Sequence, residues 1–450
     1  MSTSTAPSRS AALTAPDPTL DPDRPALLKA PLVALALPIV VAPVGLTPLP
    51  VGGLQVIHLA TVAAIGGAVL AVVAREVRFR PPATLAYGAA LVAVMFAATV
   101  TALDPLASLR VAANFLLGIC LALSVGLVVR DKGASLLWLL RAWTLAAVVL
   151  VVPALPSALQ VSDRFSGSLV SGRVQGAFSQ PNDFGEFSLL GAIAAGALLA
   201  SSPLRRDRLL GVASLLVSLA GLAVSFSRGA WLGGIAALLV VAVLAPRLRL
   251  AVAGLVVTIP LALALGAFLG AQPFPTLADR VLSLATGADN PADDRPVLYA
   301  QAWHVFTTHP LLGVGPGGFL ATNHDAGSLL IRRTYLHGHN VVLTIAAEDG
   351  IIGVLALLAL TVALGLTVLA ARRRLLAVGA HTENARLAVL AAGLVGIAVH
   401  GMVDVVYTNP LLIPLAWFLV GAVAGESARV LDRLPLVAGP GLDPRAVVTR

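Results

Sequence analysis

Runs of about 20 apolar residues, the length that crosses a bilayer as a helix, recur through most of this chain. Because backbone groups in lipid must form hydrogen bonds within their own segment, such runs predict helices. We expect an all-α, polytopic integral membrane protein with about twelve transmembrane helices. Pro38 and Pro43 interrupt the first run. The predicted spans are residues 30–47, 51–74, 83–101, 106–129, 134–158, 184–201, 209–226, 229–245, 249–270, 339–371, 387–406 and 409–425.

Composition and charge argue against a soluble, nucleic-acid-binding protein. Of 450 residues, 58% are hydrophobic and only 12% are charged, whereas about 25% are charged in a soluble domain. Most Arg and Lys residues fall in alternate connections between spans, which is typical of cytoplasmic loops. The net charge of +8 is then mainly an orientation signal, both termini are expected in the cytoplasm, and no nucleic-acid partner is expected. The opposite connections contain Arg164, Arg173, Arg228, Arg280, Arg295, Arg332 and Arg333.

The spans divide the chain into consecutive regions. Residues 1–28, rich in Ser, Thr, Pro and Asp, are predicted to be a disordered cytoplasmic tail. Residues 29–270 would contain transmembrane helices 1–9, and residues 339–428 would contain helices 10–12. Between them, residues 271–338 are predicted to form an extracytoplasmic loop domain, and residues 429–450 a second cytoplasmic tail.

The loop at 271–338 is much longer than a connection requires, and loops of this length are usually functional or disordered. Its aromatic residues favour a folded loop, and Val297 to Thr308 has the pattern of a short amphipathic helix. The following span, 339–371, is too long for one crossing. We expect Glu348-Asp349-Gly350 to break it into a short outer piece and a spanning piece.

Arg228 lies in Ser227-Arg228-Gly229-Ala230-Trp231, at the predicted N-terminal end of a helix on the extracytoplasmic side. The helix macrodipole disfavours a cation there, but an anion would be attracted by both the helix terminus and the guanidinium. The alternative is an arginine that extends from the membrane boundary to water. The neighbouring serines and the tight turn at 226–228 favour anion binding.

His337-Gly338-His339-Asn340 places two imidazoles at the edge of a predicted span. An imidazole titrates near neutral pH, so either His337 or His339 is a candidate general base. The alternative is a structural role in hydrogen bonding. Glu348 lies nine residues after His339 and hence on the opposite helix face, so it is expected to hydrogen bond at the helix break instead of orienting His339.

Other polar residues have simpler explanations. Asp183 and Glu186 have the spacing of a helix-capping box, and a ligand role for the neighbouring Asn182 is possible. The glycine-rich run from Gly313 to Gly318 lacks the ending of a P-loop and is expected to be a compact turn. His400, inside a span, is expected to serve helix packing.

Candidates for a metal site are weak in the sequence. Asp293 and Asp294 are adjacent carboxylates in a loop, and no histidine or cysteine spacing completes a site around them. We therefore expect no metal and no cofactor. Asp404 and Arg110 lie close to the predicted extracytoplasmic face and are expected near a cavity there.

Taken in order, these motifs resemble the O-antigen ligase and O-antigen polymerase superfamily of bacterial membrane glycosyltransferases. The motifs that carry the resemblance are Gly172-Arg173 with Gly176 to Asn182, Phe226 to Trp231, Arg295 upstream of Trp303, His309 to Gly317, His337 to Asn340, and Glu348 to Gly353. They cover residues 170–355. The resemblance implies a fold similar to the GT-C group, no required metal, and a multi-pass location in the bacterial plasma (inner) membrane.

The resemblance also implies roles for particular residues. The donor would be a glycan on a polyprenyl diphosphate, and the acceptor a hydroxyl of a glycan, lipid or protein, all within or beside membrane lipids. Arg228 and Arg295, with Arg173, would bind the diphosphate, and His339 or His337 would be the base of an inverting transfer. Asn182, Asn340, Glu348 and Arg110 are the other residues expected in the cavity.

Two other functions are compatible with a chain of this kind. A secondary transporter or exporter of envelope precursors would have inverted repeats and ionisable residues deep in broken helices. A non-catalytic scaffold for envelope assembly would not need the arginines or the histidine pair. Within the family, ligase and polymerase are not distinguished by the shared motifs.

Overall fold

A computed structural model describes residues 30–49, 54–159, 173–178, 180–270, 277–279, 281–282, 295–322, 337–404 and 409–434. In these ranges the regular structure is helical, and the one β feature is an isolated bridge between Pro48 and Gln55. The main helices are α1 (Val56–Val73), α2 (Leu85–Ala98), α3 (Pro105–Asp131), α4 (Ala134–Val151), α5 (Pro181–Ser201), α6 (Arg205–Val224), α7 (Arg228–Leu244), α8 (Arg249–Phe268), α9 (Arg295–Thr308), α10 (Val341–Ala377), α11 (His381–Gly401) and α12 (Leu412–Arg433).

Within the described residues, nine helices are long and apolar enough to cross a membrane, judged by length and composition. Two shorter apolar helices, Leu85–Thr101 and Arg228–Leu244, coincide with two more of the predicted spans. The first predicted span, 30–47, is broken as expected into short helices, Ala30–Val33 and Leu37–Val40, joined by 3-10 turns. The protein is thus a polytopic membrane protein, and twelve crossings and a GT-C fold stay predictions.

Helices α3 and α12 pack closely against each other, because glycines let their backbones approach. A methyl group at Gly421 would lie 2.4 Å from the carbonyl oxygen of Ala122, and one at Gly425 would lie 2.6 Å from that of Gly126. Trp417 fills the space over Gly118, where a methyl group would lie 2.2 Å from its ring. Small residues at such contacts are the usual means by which membrane helices pack.

The C-terminal end of α12 lies beyond the boundary predicted from the sequence. The helix continues to Arg433, so the predicted tail at 429–450 begins inside it. In this last part of α12, Arg429 donates to Glu426 in the preceding turn, and Asp432 accepts from Arg130 of α3. These bonds provide partners for the charged side chains of the last turns. Residues 435–450 and the predicted tail at 1–28 lie outside the described residues.

The helix break predicted at Glu348-Asp349-Gly350 is confirmed. Gly350 has φ 65° and ψ −164° within α10, so nine residues precede the break and a long spanning helix follows it. Pro310 and Leu311 pack against the break, and the amide of Ile351 donates to the carbonyl oxygen of Pro310 at 2.8 Å. The helix predicted at 297–308 is also confirmed, as α9. Most of the remaining loop lies outside the described residues.

Candidate functional site

The turn that holds the two histidines is anchored at both sides by Asn340. The Asn340 side-chain oxygen caps α10 by accepting from the amides of Val342 and Leu343, each at 3.0 Å. Its side-chain nitrogen donates to the carbonyl oxygen of Met402 at 2.9 Å. Since Met402 follows the last residue of α11, the start of α10 and the end of α11 are joined. We call this end of the bundle, where α5, α7 and α10 begin and α11 ends, the site end.

His339 is oriented by a carboxylate. Its Nδ1 lies 2.8 Å from Oδ1 of Asp404, and the other oxygen of Asp404 accepts from Asn182. The Asp404 side chain is 4% exposed and that of His339 is 20% exposed. His339 has φ 49°, a conformation that is costly for a residue with a side chain and that concentrates at functional sites. A buried acid therefore fixes an imidazole whose ring reaches the surface of the site.

His337 is more deeply buried than His339 and packs against its ring. It is buried, its ring meets that of His339 edge to face with centroids 4.6 Å apart, and its Nδ1 accepts from the His339 amide at 3.3 Å. Burial, assisted by the charge of His339, lowers the pKa of His337 to about 4. At neutral pH His337 is thus an uncharged acceptor that supports the turn.

Arg173 and Asn182 extend the network from α5. The Arg173 guanidinium donates to the side-chain oxygen of Asn182 at 2.9 Å and to the carbonyl oxygen of Ser225 at 3.3 Å. Asn182 then donates from its nitrogen to Asp404. A continuous chain of hydrogen bonds consequently connects Arg173, Asn182, Asp404 and His339.

Arg295 begins α9, which lies over the histidine turn. Its Nε donates to the carbonyl oxygen of Val403 at 2.9 Å, directly before Asp404. Four residues later, Tyr299 donates to the carbonyl oxygen of His339 at 3.4 Å. The guanidinium of Arg295 is therefore held beside Asp404, which orients His339.

Arg228 is the first residue of α7, as the sequence predicts. Ser227 caps this helix by accepting from the amide of Ala230 at 3.3 Å. The next residue, Gly229, packs directly on the end of α11: a methyl group there would lie 2.5 Å from His400 Cδ2 and 2.7 Å from Val403 Cγ2. The helix terminus that carries Arg228 thus meets the same segment that carries Asp404 and anchors Arg295.

Residues 213–358 match a family model described as O-antigen ligase. The matched segment belongs to the O-antigen ligase family. This confirms the resemblance inferred from the motifs. No curated protein matches the chain.

The O-antigen ligase segment contains Arg228, Arg295 and both histidines of the turn. The remaining members of the network come from outside the segment: Arg173 and Asn182 precede it, and Asp404 follows it. The site is therefore completed by residues on both sides of the family segment.

The capping box predicted for Asp183 and Glu186 at the start of α5 is wrong. Gln180 is the N-cap residue and makes no side-chain cap, so Asp183 and Glu186 do not form a capping box. Asp183 instead accepts from Asn409 at 2.8 Å, and Glu186 bonds to His400 at 2.5 Å. Asp183 and Glu186 thus bond to residues of distant segments instead of to the backbone at the start of their own helix. The sequence did contain a signal for the Glu186–His400 contact: each residue is ionisable and lies within a predicted span. Such residues usually mark a functional site.

Two residues expected in the cavity lie away from this network. Glu348 is buried, and its Oε1 accepts from the amide of Phe319 at 3.3 Å. The run from Gly313 to Gly318 wraps around this carboxylate, with the Gly315 amide donating to the Glu348 carbonyl oxygen at 2.8 Å. Glu348 thus bonds at the helix break, and the glycine-rich run is a turn around it. Arg110 is exposed near the start of α3.

One group of residues at the site end has the composition of a metal site. Among the described residues, His337, His339 and Asp404 offer ligand atoms that all lie within 4.8 Å of one another. Two imidazoles and a carboxylate suit zinc or another transition metal. In the present arrangement, however, the two Asp404 oxygens accept from His339 and Asn182. Asp293 and Asp294, the metal-site candidates in the sequence, lie outside the described residues.

Proposed function

We propose that the chain is a membrane glycan ligase or polymerase that transfers a glycan from a polyprenyl diphosphate to an acceptor hydroxyl. The family assignment supports the general class. The observation that carries the mechanism is the His339–Asp404 pair at 2.8 Å, beside the start of α7. The reaction takes place on the extracytoplasmic face of a bacterial plasma membrane, with both termini in the cytoplasm, as the distribution of Arg and Lys favours.

His339 is the base in this proposal. Its Nδ1 proton is donated to Asp404, which leaves Nε2 with a lone pair for the acceptor hydroxyl. Asp404 also stabilises the imidazolium that forms when the proton is taken. His337 is less suitable because it is buried and its Nδ1 already accepts the His339 amide.

Glycan transfer in this proposal is a single displacement at the anomeric carbon. The acceptor oxygen forms a bond to the anomeric carbon while its proton moves to His339 Nε2, and the bond between that carbon and the phosphate oxygen breaks. Attack opposite the leaving group inverts the anomeric configuration. The electron pair remains on the diphosphate, whose increasing negative charge is stabilised by Arg228, Arg295 and the N-terminus of α7, with Arg173 at the edge of the site. No metal or cofactor takes part.

The test uses cells that lack the gene and are complemented with variants. Arg228→Lys, Arg228→Ala and His339→Ala should each lower glycan transfer by about two to three orders of magnitude, because each removes a contact used in the transition state. Arg247→Ala, an exposed arginine after α7, is the matched control and should behave like the wild type. Normal transfer by all three site variants, at normal protein levels, would reject the proposal.

The same cells distinguish the two reactions of the family. A lost ligase leaves long lipid-linked chains, whereas a lost polymerase leaves single repeat units. The acceptor and the repeat unit can then be identified from the accumulated material.

One observation favours the exporter as a second candidate. Glu186 and His400 form an ionisable pair inside helices that are candidate membrane spans, a feature typical of transporters. Purified protein in liposomes distinguishes the two functions. Movement of a lipid-linked glycan across the bilayer without a new glycosidic bond would favour export, and bond formation without movement would favour transfer.

A further inference from the structure

The helices α7 and α11 cross closely, and the crossing lies next to the site. Gly229 and Gly233, one turn apart on α7, face His400 and Gly396, one turn apart on α11. A methyl group at Gly233 would lie 2.5 Å from the carbonyl oxygen of Gly396, so the backbones nearly touch. At the site end the gap is filled by the His400 ring, against which Gly229 packs.

His400 is itself held by a buried carboxylate from a third helix. Its Nδ1 lies 2.5 Å from Oε2 of Glu186 on α5, and the two side chains are 0% and 2% exposed. The other polar atoms of the pair, His400 Nε2 and Glu186 Oε1, have no hydrogen-bond partner among the described residues. Burying such groups is costly, so simple space filling would be served better by an apolar side chain.

The last turn of α11 connects this pair to the proposed base and cation. The amides of Val403 and Asp404 both donate to the His400 carbonyl oxygen, each at 3.0 Å. Val403 then accepts from Arg295, and Asp404 orients His339. A shift of His400 would therefore move Arg295 and His339 relative to the start of α7, where Arg228 lies.

We infer that Glu186 and His400 are a positioning pair for glycan transfer. Glu186 fixes the His400 ring, and the ring sets the distance between the Arg228 end of α7 and the Asp404 end of α11. The pair thereby aligns the cation that receives the leaving diphosphate with the base that activates the acceptor. It touches neither substrate, and the inference rests on the proposed function.

The test introduces a steric conflict and then removes it. Gly229→Ala places a methyl group against the His400 ring, and Gly229→Ala with His400→Ala makes room for it. The donor is the lipid-linked glycan extracted from cells that lack the gene, and kcat and KM are measured in membranes. Gly254→Ala is the matched control, since Gly254 lies in the spanning helix α8 with nothing within 4 Å of an added methyl group.

We expect Gly229→Ala to lower kcat about 100-fold, because small displacements of reacting groups cost about this much. KM should change little, and the double variant should recover at least a tenth of the wild-type kcat. Glu186→Gln keeps the shape of the side chain and should lower kcat about tenfold without a new pH dependence. Thermal denaturation in detergent and gel filtration report whether each variant is folded.

Two results would overturn the inference: wild-type kcat in folded Gly229→Ala, or no recovery in the folded double variant. If Gly229→Ala does not fold, Glu186→Gln decides, and wild-type kcat there would overturn the inference. Arg228→Ala and His339→Ala are measured alongside. If these two are inactive while the positioning variants are normal, only the positioning role fails. If they too are active, the proposed function fails.

Discussion

The two ends of the helix bundle use charged side chains in different ways. At the arginine end, defined by Arg130, Arg141, Arg386 and Arg429, carboxylates pair with guanidinium groups. Among the described residues, the ion pairs of the site end each contain a histidine. The pairs at the arginine end include Arg130–Asp432 at 2.8 Å, Arg141–Asp207 at 2.7 Å, Arg429–Glu426 at 2.8 Å, and Arg386–Glu426.

This difference separates charges that hold helices together from charges that can take part in chemistry. A guanidinium stays protonated at any ordinary pH, so its pairs act as permanent connections between helices. An imidazole can accept or release a proton near neutral pH. At the site end, Arg173 and Arg295 donate to the carbonyl oxygens of Ser225 and Val403, contacts that fix the position of each guanidinium.

The largest expected effect follows from removing the charge that orients His339. In Asp404→Asn an amide faces His339 Nδ1, which favours the tautomer with the proton on Nε2. The base is then blocked, and kcat for glycan transfer should fall by about two to four orders of magnitude with KM nearly unchanged. The matched control is Asp432→Asn at the arginine end, a surface pair worth about 1 kcal/mol or less. A kcat of Asp404→Asn within tenfold of the wild type would contradict the role of Asp404.

At the arginine end, the corresponding change should affect folding and not catalysis. Glu426 is fully buried between Arg386 and Arg429. Glu426→Gln leaves two guanidinium groups without their carboxylate, which should cost about 3–5 kcal/mol of stability. We expect a lower thermal midpoint in detergent and a normal kcat for the folded fraction. A stable variant with impaired kcat would show that the arginine end also influences the site.

Much of the fold could be predicted because the signals are local. Apolar run length predicts spans, and the helix start at Arg228, the helix at Arg295–Thr308 and the break at Gly350 each depend on a few neighbouring residues. The residues of the histidine turn were also recognised from a short motif. These features need no knowledge of how distant helices pack.

The pairings in the site could not be predicted for the opposite reason. Asp404 lies 65 residues from His339, and Glu186 lies 214 residues from His400. Both contacts depend on which helices are neighbours in the bundle. The apolar pattern of a membrane helix does not reveal its neighbours, because every face of such a helix is apolar. The capping box at Asp183 and Glu186 illustrates the error: the local pattern was present, but the bundle offered other partners.

A smaller effect concerns pH and His337. Burial lowers the pKa of His337 to about 4, against 6.5 in an unfolded chain. Between these values the unfolded state binds more protons, so stability is complete above pH 6.5 and falls by up to about 3 kcal/mol towards pH 4. His337→Gln cannot titrate and should lose less stability in acid, as measured by thermal midpoints at pH 7.5 and 4.5. His304→Gln, on the exposed face of α9, should lose as much as the wild type.

The smallest expected effect is that of removing metal ions, which tests whether the site end works without a metal. His337, His339 and Asp404 are close enough to hold an ion, but a metal there would occupy the base and the carboxylate that orients it. Treatment with EDTA should therefore leave kcat unchanged, and added Zn²⁺ should inhibit the wild type more than His337→Gln. Loss of activity in EDTA with recovery on adding Zn²⁺ would instead make this cluster a catalytic metal site, and would replace the proposed base by a metal-bound acceptor oxygen.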